Sequence, residues 1–375
     1  MRRLVYVVVA VVAGCGGSLS STPTAATRDP LAQPEAALAV ETLPGELAGP
    51  WPAPVVRGAS GWLIPWHDAD GVHTRLVGDD GARDDRFVGG GTLIGAAATD
   101  DGYAVAVADG VVARVHFLAG ASDRVVTAPL DGQPALGAAS DGRQLLLAST
   151  RGGEVAIEDP RPLDATLLLV APDGARSLAL GRVAAAPTLS GDAAGFIVGG
   201  TLLVDGEGRL SAAPGHQVRD ARVFRRPLVA GTLPTRDSIA LDGNGWLDVD
   251  GLVGFAERAA DGARLEVVRA DGRALVEVGA DLTPGLTRAL PPTSRGDGGQ
   301  SWLAAARAGR VLWASTIEND PVFAILDAAG MRADSGVIRI RNASSRSTVT
   351  SAGPAAVLFM WTEGRTSVHY AVQSW

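Results

Sequence analysis

Turn-forming Asp-Gly dipeptides recur along this chain and restrict its fold more than any other feature. Short apolar runs rich in Val, Leu and Ala separate them. Asp-Gly favours two-residue hairpin turns in which both central residues have positive φ. The pattern therefore predicts an all-β, antiparallel, hairpin-rich protein. The chain has thirteen such dipeptides, beginning at Asp70, Asp80, Asp101, Asp109, Asp131, Asp141, Asp173, Asp205, Asp242, Asp250, Asp261, Asp271 and Asp297.

The segment 252–279 shows the repeated pattern most clearly, because three apolar runs alternate there with two Asp-Gly turns. A helix through Ala256, Leu265 and Val268 is conceivable, but each glycine inside it would cost about 1 kcal/mol. Hairpin-linked strands fit the spacing better. We predict strands here and similar hairpins at 103–118, 166–180, 195–210 and 311–326.

The turns also follow a longer period. Units of two apolar strands followed by one polar strand recur, and the last turn of each unit falls near Gly81, Gly120, Gly174, Gly208, Gly272 or Gly330. A four-stranded propeller blade takes roughly 40–50 residues. The body therefore resembles the β-propeller class, and we predict six or seven four-stranded blades. The alternative is two β-sandwich domains, although no break in composition marks a boundary near the middle.

The end of the chain predicts how such a ring closes. The apolar runs 357–361 and 367–372 have no further strand after them. In many propellers an N-terminal segment completes the last blade, so this resemblance makes Trp51 to Arg57 the candidate closing strand.

The first residues are typical of an export signal. Arg2 and Arg3 precede the apolar run 4–13, which is too short for a membrane span of about 20 residues. The next residues, Val12-Ala13-Gly14-Cys15, resemble the lipobox of bacterial lipoproteins, and Cys15 is the only cysteine in the chain. The resemblance implies cleavage after Gly14 and a diacylglycerol on the Cys15 thiol. The alternative is a coincidental cysteine after an ordinary signal peptide.

We therefore predict three parts: a signal peptide (1–14), an acylated N-terminus with a flexible tether (15–50), and a β-propeller domain (51–375). The tether is rich in Ser, Thr, Ala and Pro. Gly16 follows the cysteine, where an aspartate tends to retain enterobacterial lipoproteins in the inner membrane, so the resemblance favours the outer membrane. The body contains no cysteine and hence no disulfide.

Charge excludes one class of partner. The formal net charge is -8 and the isoelectric point is about 5.2. A chain without a basic surplus does not hold a phosphate backbone, so we predict no nucleic-acid partner.

Several motifs suggest chemistry, but each has a simpler interpretation. The segment from Asp297 to Trp302 resembles the Asp-box of sialidase-like propellers, which is a turn rather than a catalytic element. The segment from Asp242 to Asp248 resembles the calcium loops of FG-GAP-type propellers, but two ligand positions are missing. We interpret it as an exposed turn.

The densest group of metal-ligand types straddles the turn at Asp70-Gly71, where the side chains should splay apart. Its members are His67, Asp68, Asp70 and His73. The other histidines, including His116 and His369 within apolar runs, are scattered. Most tryptophans lie in apolar strands, which favours packing between blades; these include Trp62, Trp66, Trp302, Trp313 and Trp361.

The sequence contains no Gly-x-Ser-x-Gly motif and no glycine-rich phosphate loop followed by a helix. We therefore predict no catalytic residue, no metal and no cofactor, with Cys15 as the single site residue, for lipid attachment. The functional prediction is a membrane-anchored binding or assembly module of the bacterial cell envelope, with a protein or polysaccharide partner. The body would lie in the periplasm or at the cell surface. The alternative is a propeller enzyme, a hydrolase or lyase, acting on an envelope or extracellular carbohydrate.

Overall fold

The computed structural model shows an all-β chain. It describes residues 34–47, 55–120, 122–152, 162–218, 222–230, 233–242, 245–259, 261–269, 272–290, 302–307, 310–318, 320–327, 330–331, 336–343, 348–363 and 367–374. None of these residues is helical.

The strands, in chain order, are β1 (Glu41–Thr42), β2 (Glu46–Leu47), β3 (Val56–Gly58), β4 (Gly61–His67), β5 (Val72–Val77), β6 (Arg83–Gly89), β7 (Thr92–Thr99), β8 (Gly102–Asp109), β9 (Val112–Ala119), β10 (Ser122–Pro129), β11 (Gln133–Ser140), β12 (Leu145–Arg151), β13 (Leu163–Ala171), β14 (Gly174–Val183), β15 (Leu189–Asp192), β16 (Gly195–Val198), β17 (Leu202–Val204), β18 (Leu210–Ala212), β19 (His216–Gln217), β20 (Val223–Ala230), β21 (Leu233–Leu241), β22 (Leu247–Val249), β23 (Leu252–Ala259), β24 (Gly262–Arg269), β25 (Gly272–Gly279), β26 (Pro284–Ala289), β27 (Trp302–Arg307), β28 (Arg310–Ile317), β29 (Asp320–Asp327), β30 (Gly330–Met331), β31 (Ile338–Arg339), β32 (Thr348–Ala352), β33 (Ala356–Glu363) and β34 (Ser367–Ser374).

Within the described residues these strands form eight antiparallel sheets, the blades of a β-propeller. Blades 1 to 7 contain, in order, β2–β6, β7–β10, β11–β14, β15–β18, β19–β22, β23–β26 and β27–β31, and blade 8 contains β32–β34 together with β1. Each blade has four strand positions. In the two sheets with five strands, β2 and β3 pair with the same edge of β4, and β30 and β31 pair with the same edge of β29. The predicted all-β propeller is confirmed, and the two-sandwich alternative is wrong.

The predicted number of six or seven blades is wrong because blade length varies more than we assumed. Blade 4 is complete within 189–212, whereas blade 3 extends over 133–183. The turn at Gly272, which we took as the last turn of a unit, joins the second and third strands of blade 6. The last turn of that blade lies near Leu282, and the last turn of blade 5 follows Asp242.

The predicted hairpins are confirmed, including the three strands of 252–279, but the predicted turn type is wrong. Among the described aspartates that precede a glycine, only Asp242 has positive φ. In most of the other dipeptides the glycine, and not the aspartate, has positive φ. Carboxylates instead cap the turns: Asp205 Oδ1 accepts the backbone N–H groups of Glu207 and Arg209 at 2.9 and 2.8 Å. The bond from the Arg209 N–H is the main cause of a lowered Asp205 pKa.

A second role of the glycines is to let two strands approach closely. The second strand of a blade begins directly against the end of the third. At Gly102 an added Cβ would lie 2.1 Å from the carbonyl oxygen of Leu118, a distance no side chain tolerates. The corresponding distances at Gly61, Gly195 and Gly262 are 2.3, 2.5 and 1.9 Å.

Each blade is apolar on both faces. In blade 1, Trp62 and Ile64 of β4 pack toward blade 8, while Leu63 between them packs toward blade 2. This alternation follows from the two-residue period of a strand. Neither face is buried until a neighbouring blade covers it.

The ring is closed by the N-terminal strap, which we define as residues 34–47. Glu35 pairs with Val337 at the edge of blade 7, and Glu41 then pairs with Tyr370 as β1, the outermost strand of blade 8. Leu43 is buried in the core between blades 8 and 1. The propeller therefore begins before residue 51, inside the segment that we predicted to be tether.

The prediction that an N-terminal strand completes the last blade is confirmed, but the strand that we predicted, Trp51 to Arg57, is wrong. Residues 51–54 lie outside the described residues, and Arg57 belongs to β3 of blade 1. The strap is not recognisable as the closing strand because it is less apolar than a central strand. An outer strand is partly exposed and therefore tolerates polar residues.

A polar network joins the strap to blades 8 and 1. The Tyr370 hydroxyl donates to the Glu41 carboxylate, which also pairs with Arg83. Arg75 donates to the Tyr370 oxygen at 3.4 Å and, through two nitrogens, to Asp85 at 2.6 Å. Burial, reinforced by the bond to Glu41, raises the pKa of Tyr370 to about 12. The bond from Arg75 lowers the pKa of Asp85.

We expect Leu43→Ala to destabilise the protein by about 2–3 kcal/mol, because it leaves a cavity where the strap enters the core. Val40→Ala is the matched control, since Val40 lies in the same strap but is 51% exposed. Urea unfolding of both variants measures the difference. Equal stabilities would show that the strap does not hold the ring.

We expect Gly102→Ala to cost about 1–3 kcal/mol, because the new Cβ displaces the end of β9. The control is Gly174→Ala in another Asp-Gly turn, where an added Cβ meets nothing within 4 Å. Thermal unfolding should separate the two variants. Comparable melting temperatures would contradict the close-approach role.

Candidate ligand-binding site

A cavity of about 310 Å³ lies between blades 1 and 2. The turns that join the first to the second strand and the third to the fourth strand of every blade lie on one face of the ring, because the strands are antiparallel. We name this face A. The cavity opens there, next to the first-to-second-strand turns of blade 1 and blade 2.

The floor of the cavity is apolar. Leu63 and Leu76 of blade 1 contribute one wall, and Leu118 and the ring of Tyr103 from blade 2 contribute the other. The same residues belong to the core between the two blades. The cavity is therefore continuous with that core.

The rim of the cavity is charged. Arg86 donates through Nε and Nη2 to one oxygen of Asp84, at 2.9 and 2.8 Å. Asp101 lines the rim from blade 2 and is exposed. Its neighbour Asp100 is turned toward blade 3, where it lies 3.9 Å from Arg143. No described residue forms an ion pair with Asp101, so the rim carries one carboxylate without a counter-charge.

Tyr103 fixes the shape of the cavity. Its hydroxyl donates to the carbonyl oxygen of Gly61 at 2.9 Å and lies 3.4 Å from the Ser60 hydroxyl. Gly58 makes room for the ring, because a Cβ there would lie 2.7 Å from it. Burial raises the pKa of Tyr103, so the phenol stays protonated at neutral pH. Its proton is used in the hydrogen bond to the Gly61 carbonyl oxygen.

This arrangement is suited to binding. Ligand sites are typically concave and mostly apolar, with a few placed polar groups, and enclose roughly 300–1,000 Å³. Acid–base catalysis would need a donor and an acceptor poised on the same ligand. Here Arg86 neutralises Asp84 and the Tyr103 proton is engaged, which leaves Asp101 as the uncompensated group.

A second cavity of about 240 Å³ lies on face A at blade 6. It is more polar: Arg264 stands between Glu257 at 3.7 Å and Glu277 at 3.9 Å. Asp261 and Thr283 complete its rim. Without an apolar floor it offers less surface on which to bury a ligand.

Two predicted features fall wholly or partly outside the described residues. Cys15, the predicted lipid-attachment residue, lies outside them, so lipidation remains a prediction. The segment 297–301, which resembles an Asp-box, also lies outside the described residues. Trp302, the last residue of that resemblance, is the first residue of β27.

The two acids that suggested a calcium loop bind different partners. Asp242 forms an ion pair with Arg258, whereas Asp248 accepts a hydrogen bond from the Ser238 hydroxyl at 2.5 Å. Residues 243 and 244 between them lie outside the described residues. The described part shows two separate strand-anchoring contacts.

The histidine and aspartate group around the Asp70 turn is only partly brought together. Asp68 Oδ1 lies 3.0 Å from His73 Nε2 and also caps the turn through the N–H groups of Asp70 and Gly71. The His73 ring stacks on Trp66, with centroids 4.2 Å apart. In the part of the chain that the structure describes, no three His, Cys, Asp or Glu side chains are grouped as metal ligands.

The predicted structural roles of other aromatic residues are confirmed where side chains are described. Trp62, Trp66, Trp313 and Trp361 are buried. His116 is a buried strand residue 3.2 Å from Asp123. His369 contacts the strap through Thr42 Oγ1 at 2.9 Å.

Sequence reasoning missed the whole cavity. Its rim residues come from β6 of one blade and the β7–β8 turn of the next. The only motif there is the Asp101-Gly102 dipeptide, which predicts a hairpin turn and not a ligand site. Adjacent acids such as Asp84-Asp85 and Asp100-Asp101 either lie in turns or point to opposite faces of a strand. Which member of each pair meets a neighbour from another blade depends on blade packing.

The fold has relatives of low sequence similarity. The WD40 domain of Toxoplasma gondii coronin is 10% identical, with a TM-score of 0.38 over 90% of this chain and 86% of that one. An oligogalacturonate lyase from Vibrio parahaemolyticus is 10% identical, with a TM-score of 0.44 over 90% and 97%. A post-proline cleaving enzyme from Rickettsia typhi is 8% identical, with a TM-score of 0.43 over 83% of this chain and 57% of that one. These similarities concern the fold alone.

No protein-family model and no curated protein matches the sequence. Over the described residues, the structure contains no helix long and apolar enough to cross a membrane.

We expect Tyr103→Phe to lower the free energy of unfolding by about 1 kcal/mol, because the buried carbonyl of Gly61 loses its donor while the ring still forms the cavity floor. Ser60→Ala is the control and should change stability by less than about 0.5 kcal/mol. Chemical denaturation measures both. An unchanged free energy of unfolding in Tyr103→Phe would show that the hydroxyl does not stabilise the cavity.

Proposed function

We propose that this chain is a lipid-anchored binding module of the bacterial cell envelope. Cys15 holds it in the membrane, with the outer membrane favoured, and the propeller presents the cavity on face A to an envelope ligand. The single observation that supports a binding role is this cavity, with its apolar floor and its one uncompensated carboxylate.

The anchor is supported by the N-terminal sequence. A positive start, an apolar run, a lipobox and the only cysteine occur together within fifteen residues. Stable anchoring needs more than one acyl chain, since each buried methylene contributes about 0.8 kcal/mol. The strap begins nineteen residues after Cys15, and a chain of this length spans at most about 65 Å. The propeller therefore stays close to the lipid surface.

The enzyme alternative requires turnover of a carbohydrate. The full-length protein, reconstituted in lipid nanodiscs, is incubated with a panel of glycosides and envelope polysaccharides, and released reducing or unsaturated ends are measured. We expect none above the level of empty nanodiscs. Robust turnover would replace the binding role with a catalytic one.

The anchor is tested by Cys15→Ser, which removes the thiol but keeps the apolar export segment. We expect the variant to leave the cytoplasm, to incorporate no labelled fatty acid and to remain uncut after Gly14. Ser18→Ala, three residues away, should be labelled and processed like wild type. Because Cys15 is the only cysteine, the label has one acceptor thiol. A wild-type chain without label, whose mature form starts elsewhere, would show an ordinary secreted protein.

A further inference from the structure

The cavity between blades 1 and 2 has a charge asymmetry that selects among ligands. Its floor consists of Leu63, Leu76, Leu118 and the Tyr103 ring, and its rim has two carboxylates against one guanidinium. Because Arg86 donates twice to the same oxygen of Asp84, that pair is internally compensated.

Asp101 is the uncompensated charge. It belongs to an Asp-Gly turn on face A, and the adjacent Asp100 is directed to Gly142 and Arg143 of blade 3. A carboxylate at the edge of an apolar cavity attracts a cation whose apolar part fills that cavity. An anionic ligand would be repelled by Asp101, and Arg86, the cation of the rim, is already paired with Asp84.

From this geometry we propose that the cavity binds a small organic cation: an ammonium or amidinium group on an apolar body, with the body on the leucine floor and the charge at Asp101. This inference rests on the proposed binding function and adds its ligand class. A volume of about 310 Å³ lies at the lower end of the range of roughly 300–1,000 Å³ for small-molecule sites, so the cavity suits a small ligand with one ring or a short alkyl chain.

Three probes that share one ring test the charge preference: benzylammonium, benzyl alcohol and benzoate. Binding to the full-length protein in nanodiscs is measured by calorimetry, with empty nanodiscs as the blank. We expect benzylammonium to bind two- to fivefold more tightly than benzyl alcohol, the range for one exposed ion pair, and benzoate to bind most weakly. Added salt should reduce the preference.

Asp101→Asn is the decisive variant, because asparagine is also favoured in turns and the substitution removes only the charge. It should bind benzylammonium and benzyl alcohol equally. Asp109→Asn is the matched control: it removes an aspartate charge from another Asp-Gly turn of blade 2, at the opposite face, where Asp109 lies 3.4 Å from Arg114. This control should keep the preference. Leu76→Trp, which fills the cavity, should abolish binding of all three probes.

Benzoate binding as tightly as benzylammonium, or an equal effect of Asp101→Asn and Asp109→Asn, would overturn the cation preference. Binding of none of the probes would overturn this ligand class as well. Neither result affects the fatty-acid labelling at Cys15, so failure of this inference is distinguishable from failure of the lipid-anchored function.

Discussion

A blade with two apolar faces is stable only between two neighbours, and this constraint governs the whole molecule. Seven blades follow each other along the chain, so the difficult junction is the one between the last blade and the first. Here the N-terminal strap pairs with blade 7, completes blade 8 and enters blade 1. Leu43 seals the core at this junction, and Glu41 joins Tyr370 and Arg83 across it. Closure thus combines backbone pairing, one buried side chain and a polar network.

The second constraint is the space at the blade ends. In four blades the second strand starts with a glycine against the end of the third strand, and an added Cβ would collide there, as at Gly102 and Gly262. Aspartates in or near the turns then satisfy backbone N–H groups that no strand can pair, as Asp205 and Asp68 do. The frequency of Asp-Gly along the chain is therefore a consequence of building many short hairpins into a crowded ring, and its meaning is structural.

The candidate site and the ring closure both depend on the alternation of successive side chains between the two faces of a strand. In β6, Asp84 points to the cavity shared with blade 2, whereas Asp85 binds Arg75 in the closure network. In β5, Thr74 lines the cavity and Arg75 contacts Tyr370. Blade 1 therefore carries ring closure on one face and the cavity on the other. A shift of one residue in its register would exchange the two sets and destroy both features.

The sequence by itself determined the all-β class, the hairpin positions and the propeller, because strand alternation and turn chemistry are local properties of a few adjacent residues. The export signal and the lipobox at Cys15 are also read from contiguous residues, and both stay predictions. Blade number, the identity of the closing strand and the cavity were decided only by the tertiary structure. A blade as short as 189–212 changes the count, and a two-residue strand such as β1 has no pattern of its own. Asp101 comes to line the same cavity as Asp84 and Arg86 only after two blades have packed. These features depend on contacts between residues distant in sequence, and such contacts leave no local signature.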